Sequence, residues 1–174
     1  VLQNYAKNYK TGETIPTELV EKILASSKFN QGYDFGEVLE AALLDMKWHA
    51  LSKDEAAAID TPEKVSAYET KSLKDLGLEI DLVPPRYRTT YFNHIFSGPS
   101  GYSAGYYSYL WTQMLDRDSR AWFLQNGGLT RANGDHYRDT VLSRGGTMDY
   151  GEMYRNFANR DPDVKYMLIA LGLA

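Results

Sequence analysis

The stretch Phe35-Gly36-Glu37-Val38-Leu39-Glu40-Ala41-Ala42-Leu43-Leu44-Asp45-Met46 decides the fold class. Phe35, Val38, Leu39, Ala42, Leu43 and Met46 recur at intervals of three and four, the spacing that stacks side chains on one side of an α-helix. That helix is expected to run to about Leu51. The punctuation around it is of the same kind. Pro16 and Thr17 open a helix through about Ser27, and Ser52-Lys53-Asp54-Glu55 has the form of a capping box. Thr61-Pro62 sets a capping hydroxyl before a first-turn proline, which predicts a helix over 61–76 stopped by Gly77. Pro84-Pro85 ends regular structure, Gly98, Pro99 and Gly101 make a loop, Gly127-Gly128 and Gly145-Gly146 separate helices, and Asp161-Pro162 is expected to cap the last one. Strands are hard to find. The pattern predicts an all-α, irregular multi-helix domain of about eight or nine short helices. No internal repeat argues for a solenoid. The nearest thing to a linker is 76–88, but halves of about 85 residues make a shared core the simpler arrangement.

With 174 residues, 43% of them hydrophobic, the chain has material for one real core. Its 19 basic residues against 23 acidic ones leave it without the positive field that phosphate-backbone binding needs, so nucleic acid is excluded as an expected partner. The longest apolar run, 166–171, is a third of a membrane span, so no membrane partner is expected. Cysteine is absent, which removes disulfides, thiol nucleophiles and thiolate metal sites together. The chain opens at Val1 with neither initiator Met nor leader and reads as a piece entered part-way through, so any leader would lie upstream.

The three histidines, His49, His94 and His136, show no pairing at the three- or four-residue spacing of a helical metal site. His49 reads as structural or solvent-facing, and His136, in the polar stretch 133–138, as exposed. His94 stands apart because it precedes the glycine loop 97–101, where a backbone without side chains can approach a ligand. No Gly-x-Ser-x-Gly elbow and no Walker pattern is present. Asp116, Asp118, Asp135 and Asp139 read as a solvated face rather than a catalytic pair.

The most informative segment is Tyr102-Ser-Ala-Gly-Tyr106-Tyr107-Ser-Tyr109-Leu-Trp111-Thr-Gln-Met114-Leu115. At 100° per residue Tyr102, Tyr106, Tyr109 and Gln113 fall within about 60° of one another, whereas Ala104, Tyr107, Leu110, Trp111, Met114 and Leu115 cover a separate arc of about 140°. The apolar arc suits a core contact and leaves three phenols on another face. A phenol donates one good hydrogen bond and stays neutral at physiological pH, which suits it to a carbonyl or a developing oxyanion. The alternative is a stripe packed on a neighbouring helix, its hydroxyls bonded to backbone or water.

Several of these residues carry a resemblance. Pro84-Pro-Arg-Tyr-Arg88, Tyr91-Phe-Asn-His94-Ile-Phe96, the glycine loop, the tyrosine segment, Asn126-Gly-Gly-Leu-Thr130 and Leu142-Ser-Arg-Gly-Gly146 together resemble the C-terminal region of peptidyl-dipeptidases in the thimet oligopeptidase and oligopeptidase A family of zinc metallopeptidases. Tyr9-Lys-Thr-Gly-Glu13, Lys28-Phe-Asn-Gln-Gly32 and Arg160-Asp-Pro-Asp-Val164 extend it over practically all of 1–174. The resemblance implies the C-terminal portion of a two-lobed, zincin-like, mostly helical oligopeptidase that acts as a monomer on short peptides, releasing C-terminal dipeptides. It implies a zinc cofactor held by a His-Glu-x-x-His helix and a later glutamate, all upstream of Val1 in the missing N-terminal part of the same protein. Tyr109 and Tyr102 are then similar to the catalytic phenols that bond the oxyanion or the adjacent carbonyl. His94, Gly98, Gly101 and Tyr106 resemble substrate contacts. A cytoplasmic location is expected, or a periplasmic one if a leader lies upstream.

One departure concerns the loop, which looks about two residues longer than is usual in the family and contains Pro99, a residue that stiffens its neighbours. The chain alone is expected to be inactive, since it would lack the metal ligands. A stand-alone helical module that binds peptides without catalysis is the alternative function, and a purely structural helical protein with buried tyrosines is a third.

Overall fold

In a computed structural model, residues 2–98 and 101–174 are described. They form ten α-helices and two single 3-10 turns. Outside these, an isolated antiparallel bridge joins Lys7 to Thr14. The helices are α1 (Leu2–Tyr5), α2 (Thr17–Ser26), α3 (Gln31–His49), α4 (Lys53–Ala58), α5 (Pro62–Asp75), α6 (Asn93–Phe96), α7 (Ser108–Gln125), α8 (Arg131–Thr140), α9 (Tyr150–Ala158) and α10 (Lys165–Leu171). The all-α expectation holds.

Local signals place several ends where the sequence puts them. The Ser52 hydroxyl accepts the Glu55 amide while the Glu55 carboxylate takes the Ser52 amide, completing the capping box of α4. Thr61 caps α5 ahead of Pro62, and Gly77 follows its end at φ +70°. The final helix differs. It opens at Lys165, whose amide donates to Asp163, while Asp161 instead pairs with Arg155 at 2.9 Å. The residue before the proline thus serves α9 while the one after it accepts the first amide of α10, and the expected cap at Asp161-Pro162 is corrected by this pairing.

Two aromatic-rich clusters form the interior. One joins Ala41 and Ala42 of α3 to Phe92, Ile95 and Tyr106, with Val38 and Tyr87 against it. It therefore crosses the 76–88 segment. The other gathers Tyr154, Phe157 and Ala158 of α9 with Leu115, Trp122 and Phe123 of α7 and Tyr137 of α8. Helix α7 touches both regions.

The buried face of α3 is not the apolar stripe alone. Its most enclosed residues are Glu40, Ala41, Ala42, Leu44 and Asp45. The stripe residues Leu39, Ala42, Leu43 and Met46 instead line a groove of about 260 Å³ facing Tyr107, Leu110, Trp111 and Met114 of the α7 region and Val164 and Met167 near α10. Met46 and Trp111 stay 43% and 53% exposed there, so the groove is open. The whole chain exposes 11850 Å², against roughly 8600 Å² for a self-contained globular protein of 19.8 kDa. Apolar surface that a closed core would cover is left accessible.

Buried acids hold the turns. Glu69 of α5 accepts Arg88 Nε at 2.8 Å and the Thr89 amide at 2.7 Å. Asp118 of α7 takes both terminal nitrogens of Arg160 and the Asp163 amide. The expectation of a solvated face fails at Asp118, which is 0% exposed because its pairing with Arg160 compensates its burial. Burial pushes this carboxyl up, but the hydrogen bonds from Arg160 and the Asp163 amide outweigh it, and the group is held below the usual range. Glu40 is the opposite case. It is 1% exposed, neither oxygen meets a donor, and burial, then the Glu37 carboxylate, push it up to about 7.

Candidate functional site

A cleft of about 510 Å³ opens between the start of α3, the Arg86-Tyr87 segment and the start of α7. Gln31, Asp34, Phe35 and Val38 form one wall, Tyr106, Tyr109, Leu110 and Gln113 another, with Arg86 and Tyr87 between them. The Arg86 amide donates to the Glu37 carbonyl at 3.0 Å, which ties this middle segment to α3.

Tyr106 and Tyr109 both reach the cleft, their ring centroids 5.0 Å apart. They do so differently. Tyr106 is 6% exposed, wedged edge-on against Phe92 at 5.0 Å and Tyr87 at 5.9 Å, whereas Tyr109 is 63% exposed. Burial, then the Tyr87 phenol, push the Tyr106 hydroxyl above the usual phenol range, with Arg86 pulling the other way. It is therefore a neutral donor across physiological pH.

His94 is half-buried in the same aromatic nest, 4.9 Å from Tyr87, 5.1 Å from Phe92 and 5.8 Å from Tyr106. The Tyr102 ring lies 6.4 Å from His94 and is 69% exposed. His94, Tyr102, Tyr106 and Tyr109 thus form one continuous aromatic chain, of which Tyr106 and Tyr109 line the cleft. The His94 carbonyl also accepts the Tyr102 amide at 3.0 Å, closing the glycine loop at its base. Gly98 lies at φ +92°, and a Cβ on Gly101 would stand 3.1 Å from both the His94 and Gly98 carbonyl oxygens. Pro99 and its stiffening effect lie outside the described residues.

The helical register expected for the tyrosines is corrected in part. Helix α7 begins at Ser108, so Tyr102 and Tyr106 precede it in a series of turns, with Ala104 at φ +53°. The physical reason is tertiary. The amides of Ala104 and Tyr106, which a helix would place in its opening turn, each donate at 2.8 Å to the Asp45 carboxylate of α3. From Ser108 onward the two faces separate as predicted, with Tyr109 and Gln113 on the cleft and Trp111 and Met114 on the apolar groove.

Asp45 is the residue that sequence reading missed. It is 0% exposed, and its Oδ1 also lies 2.8 Å from His49 Nδ1. The signal was available as an Asp and a His four residues apart on one helix. His49 makes this pairing from the last position of α3. His136 is not exposed as predicted, because it stacks on Trp122 and its Nε2 lies 2.9 Å from the Phe157 carbonyl. Asp116 and Asp139 do face solvent. Among the described residues no group of three or more His, Cys, Asp or Glu is arranged to hold a metal ion, so the residues here do not fit a zinc site.

The sequence profile described as Peptidase family M3 matches residues 1–173. The chain belongs to peptidase family M3. It is 44% identical to the dipeptidyl carboxypeptidase of Escherichia coli strain K12 over 173 residues, 99% of this chain and 24% of that protein. It is 32% identical to oligopeptidase A of the same organism over 170 residues, 95% of this chain and 23% of the relative. Saccharolysin of Saccharomyces cerevisiae is 32% identical over 177 residues, 99% of this chain and 23% of its own length. The M3 chain thus spans about a quarter of these curated relatives.

Proposed function

We propose that this M3 chain supplies the peptide-binding and transition-state-stabilising wall of a peptidyl-dipeptidase that removes C-terminal dipeptides from short peptides. The observation that carries the reading is the tyrosine-lined cleft in a chain matched by the M3 profile over nearly its whole length. An oxyanion needs preformed hydrogen-bond donors, and the Tyr106 and Tyr109 phenols line one wall of the cleft together with Gln113. Tyr109 is the principal donor because its ring is accessible at the cleft. Tyr106 supports it from the buried side. Tyr102, exposed next to His94, is the second catalytic phenol beside Tyr109, reaching the peptide from the loop side, with Gly98 and Gly101 allowing close backbone approach. In this reading the metal chemistry belongs to the rest of a longer peptidase, of whose relatives this chain spans about a quarter. The open apolar groove and the excess surface support a larger body packed on this one.

The test is Tyr109→Phe in the intact peptidase, assayed on a short peptide with product mapping. Loss of one oxyanion donor is expected to lower kcat by about a hundredfold with the melting temperature unchanged. Normal turnover would remove the catalytic reading.

A further inference from the structure

Asp45 lies four residues from the C-terminal end of the longest helix, is fully enclosed, and spends both carboxylate oxygens on the turn that precedes α7. Oδ1 accepts the Ala104 amide and Oδ2 the Tyr106 amide, each at 2.8 Å, and His49 Nδ1 stands 2.8 Å from Oδ1. The Asp45 carbonyl oxygen lies 2.9 Å from the same Nδ1, and between these two acceptors that nitrogen is the one that donates. The turn so held is not one that the local chain prefers. Ala104 sits at φ +53°, a left-handed conformation that a residue with a Cβ avoids unless its surroundings impose it. The Tyr106 ring departs from this turn, and Tyr109 follows three residues later, its amide reaching back to the Tyr106 carbonyl at 3.4 Å. Any shift of residues 104–106 therefore moves the start of α7 and both cleft phenols.

We infer that Asp45 is the positioning residue of the tyrosine wall, acting through the Ala104 and Tyr106 amides to set where the Tyr109 hydroxyl stands. This rests on the peptidase reading above. The Asp45 carboxylate never meets the peptide. An amide at this position keeps the shape of the side chain but replaces one acceptor by a donor, which then faces a backbone N–H.

The experiment uses the intact peptidase and four variants: Asp45→Asn, Tyr109→Phe, their combination, and Asp45→Asn with Ala104→Gly. A displaced donor costs turnover rather than affinity, so Asp45→Asn is expected to lower kcat by about tenfold to a hundredfold while KM stays within about twofold. In the Tyr109→Phe background the same change is expected to cost less than about threefold, because the group it positions is already gone. Glycine accepts a positive φ without strain, so Ala104→Gly is expected to restore the melting temperature of Asp45→Asn, and to keep it folded where it would otherwise fail, without restoring kcat. An equal loss in both backgrounds would overturn the inference, as would recovery of kcat together with stability. Unchanged turnover in Tyr109→Phe alone would instead sink the peptidase reading on which it rests.

Discussion

Replacing Glu40 by Gln is expected to make the protein more stable, and increasingly so as pH rises. The side chain is 1% exposed, both oxygens lack donors, and its carboxyl is pushed up from 4.5 to about 7. The folded state therefore holds a proton that the unfolded chain releases between these two values. Stability contributed by this group is complete below pH 4.5, declines as pH rises through that window, and is gone above about 7. At 1.36 kcal/mol per pKa unit the loss comes to about 3 kcal/mol. An amide does not titrate. The variant should match the parent within about 0.5 kcal/mol near pH 4, where both groups are neutral and equally unpartnered, and exceed it by about 3 kcal/mol at pH 8. Urea unfolding at both pH values reads this directly, since at about 2 kcal/mol per molar the midpoint should move by more than 1 M while the slope stays constant. Titrating groups other than the neighbouring Glu37 are common to both proteins and cancel. Parallel stability curves across the range would show that Glu40 is ionised and solvated at neutral pH, and would refute the reasoning.

Asp118→Ala should cost about 3 kcal/mol or more, because it strands the Arg160 guanidinium and frees the Asp163 amide. Since the Asp118 carboxyl is held low, its stabilisation is present at neutral pH and lost as pH falls into the acid range, so the parent should lose stability there more steeply than the variant in pH-dependent thermal melts. Gly101→Ala places a methyl 3.1 Å from two backbone oxygens and should displace the loop, raising KM by about tenfold with less effect on kcat. An unchanged KM would mean that the loop does not touch the peptide.

The helices were legible wherever the deciding interaction was local. Ser52 with Glu55 and Thr61 with Pro62 act within one turn, and both caps form as written. The two faces of α7 were also legible beyond Ser108, because helical geometry alone separates Tyr109 and Gln113 from Trp111 and Met114. What was not legible depends on partners distant in the chain. Continuing the same periodicity back to Tyr102 fails because the amides of Ala104 and Tyr106 find a stronger acceptor in Asp45 than a helical carbonyl would be. The solvated reading of Asp118 fails for the same kind of reason, its partner lying 42 residues away. The cleft itself combines Gln31, Arg86, Tyr109 and Leu171, a set that no local pattern assembles.

The three enclosed acids that hold backbone amides share an order along the chain. Asp45 precedes the Tyr106 amide by 61 residues, Glu69 precedes Thr89 by 20, and Asp118 precedes Asp163 by 45. During synthesis each anchor leaves the ribosome before the strap that it will fasten, while the helices bearing the anchors need only near neighbours to coil. Closing such long spans costs chain entropy that helix formation does not. The straps are accordingly the late steps of assembly, and a nascent chain arrested before residue 104 would leave Asp45 without the two amides that it later holds.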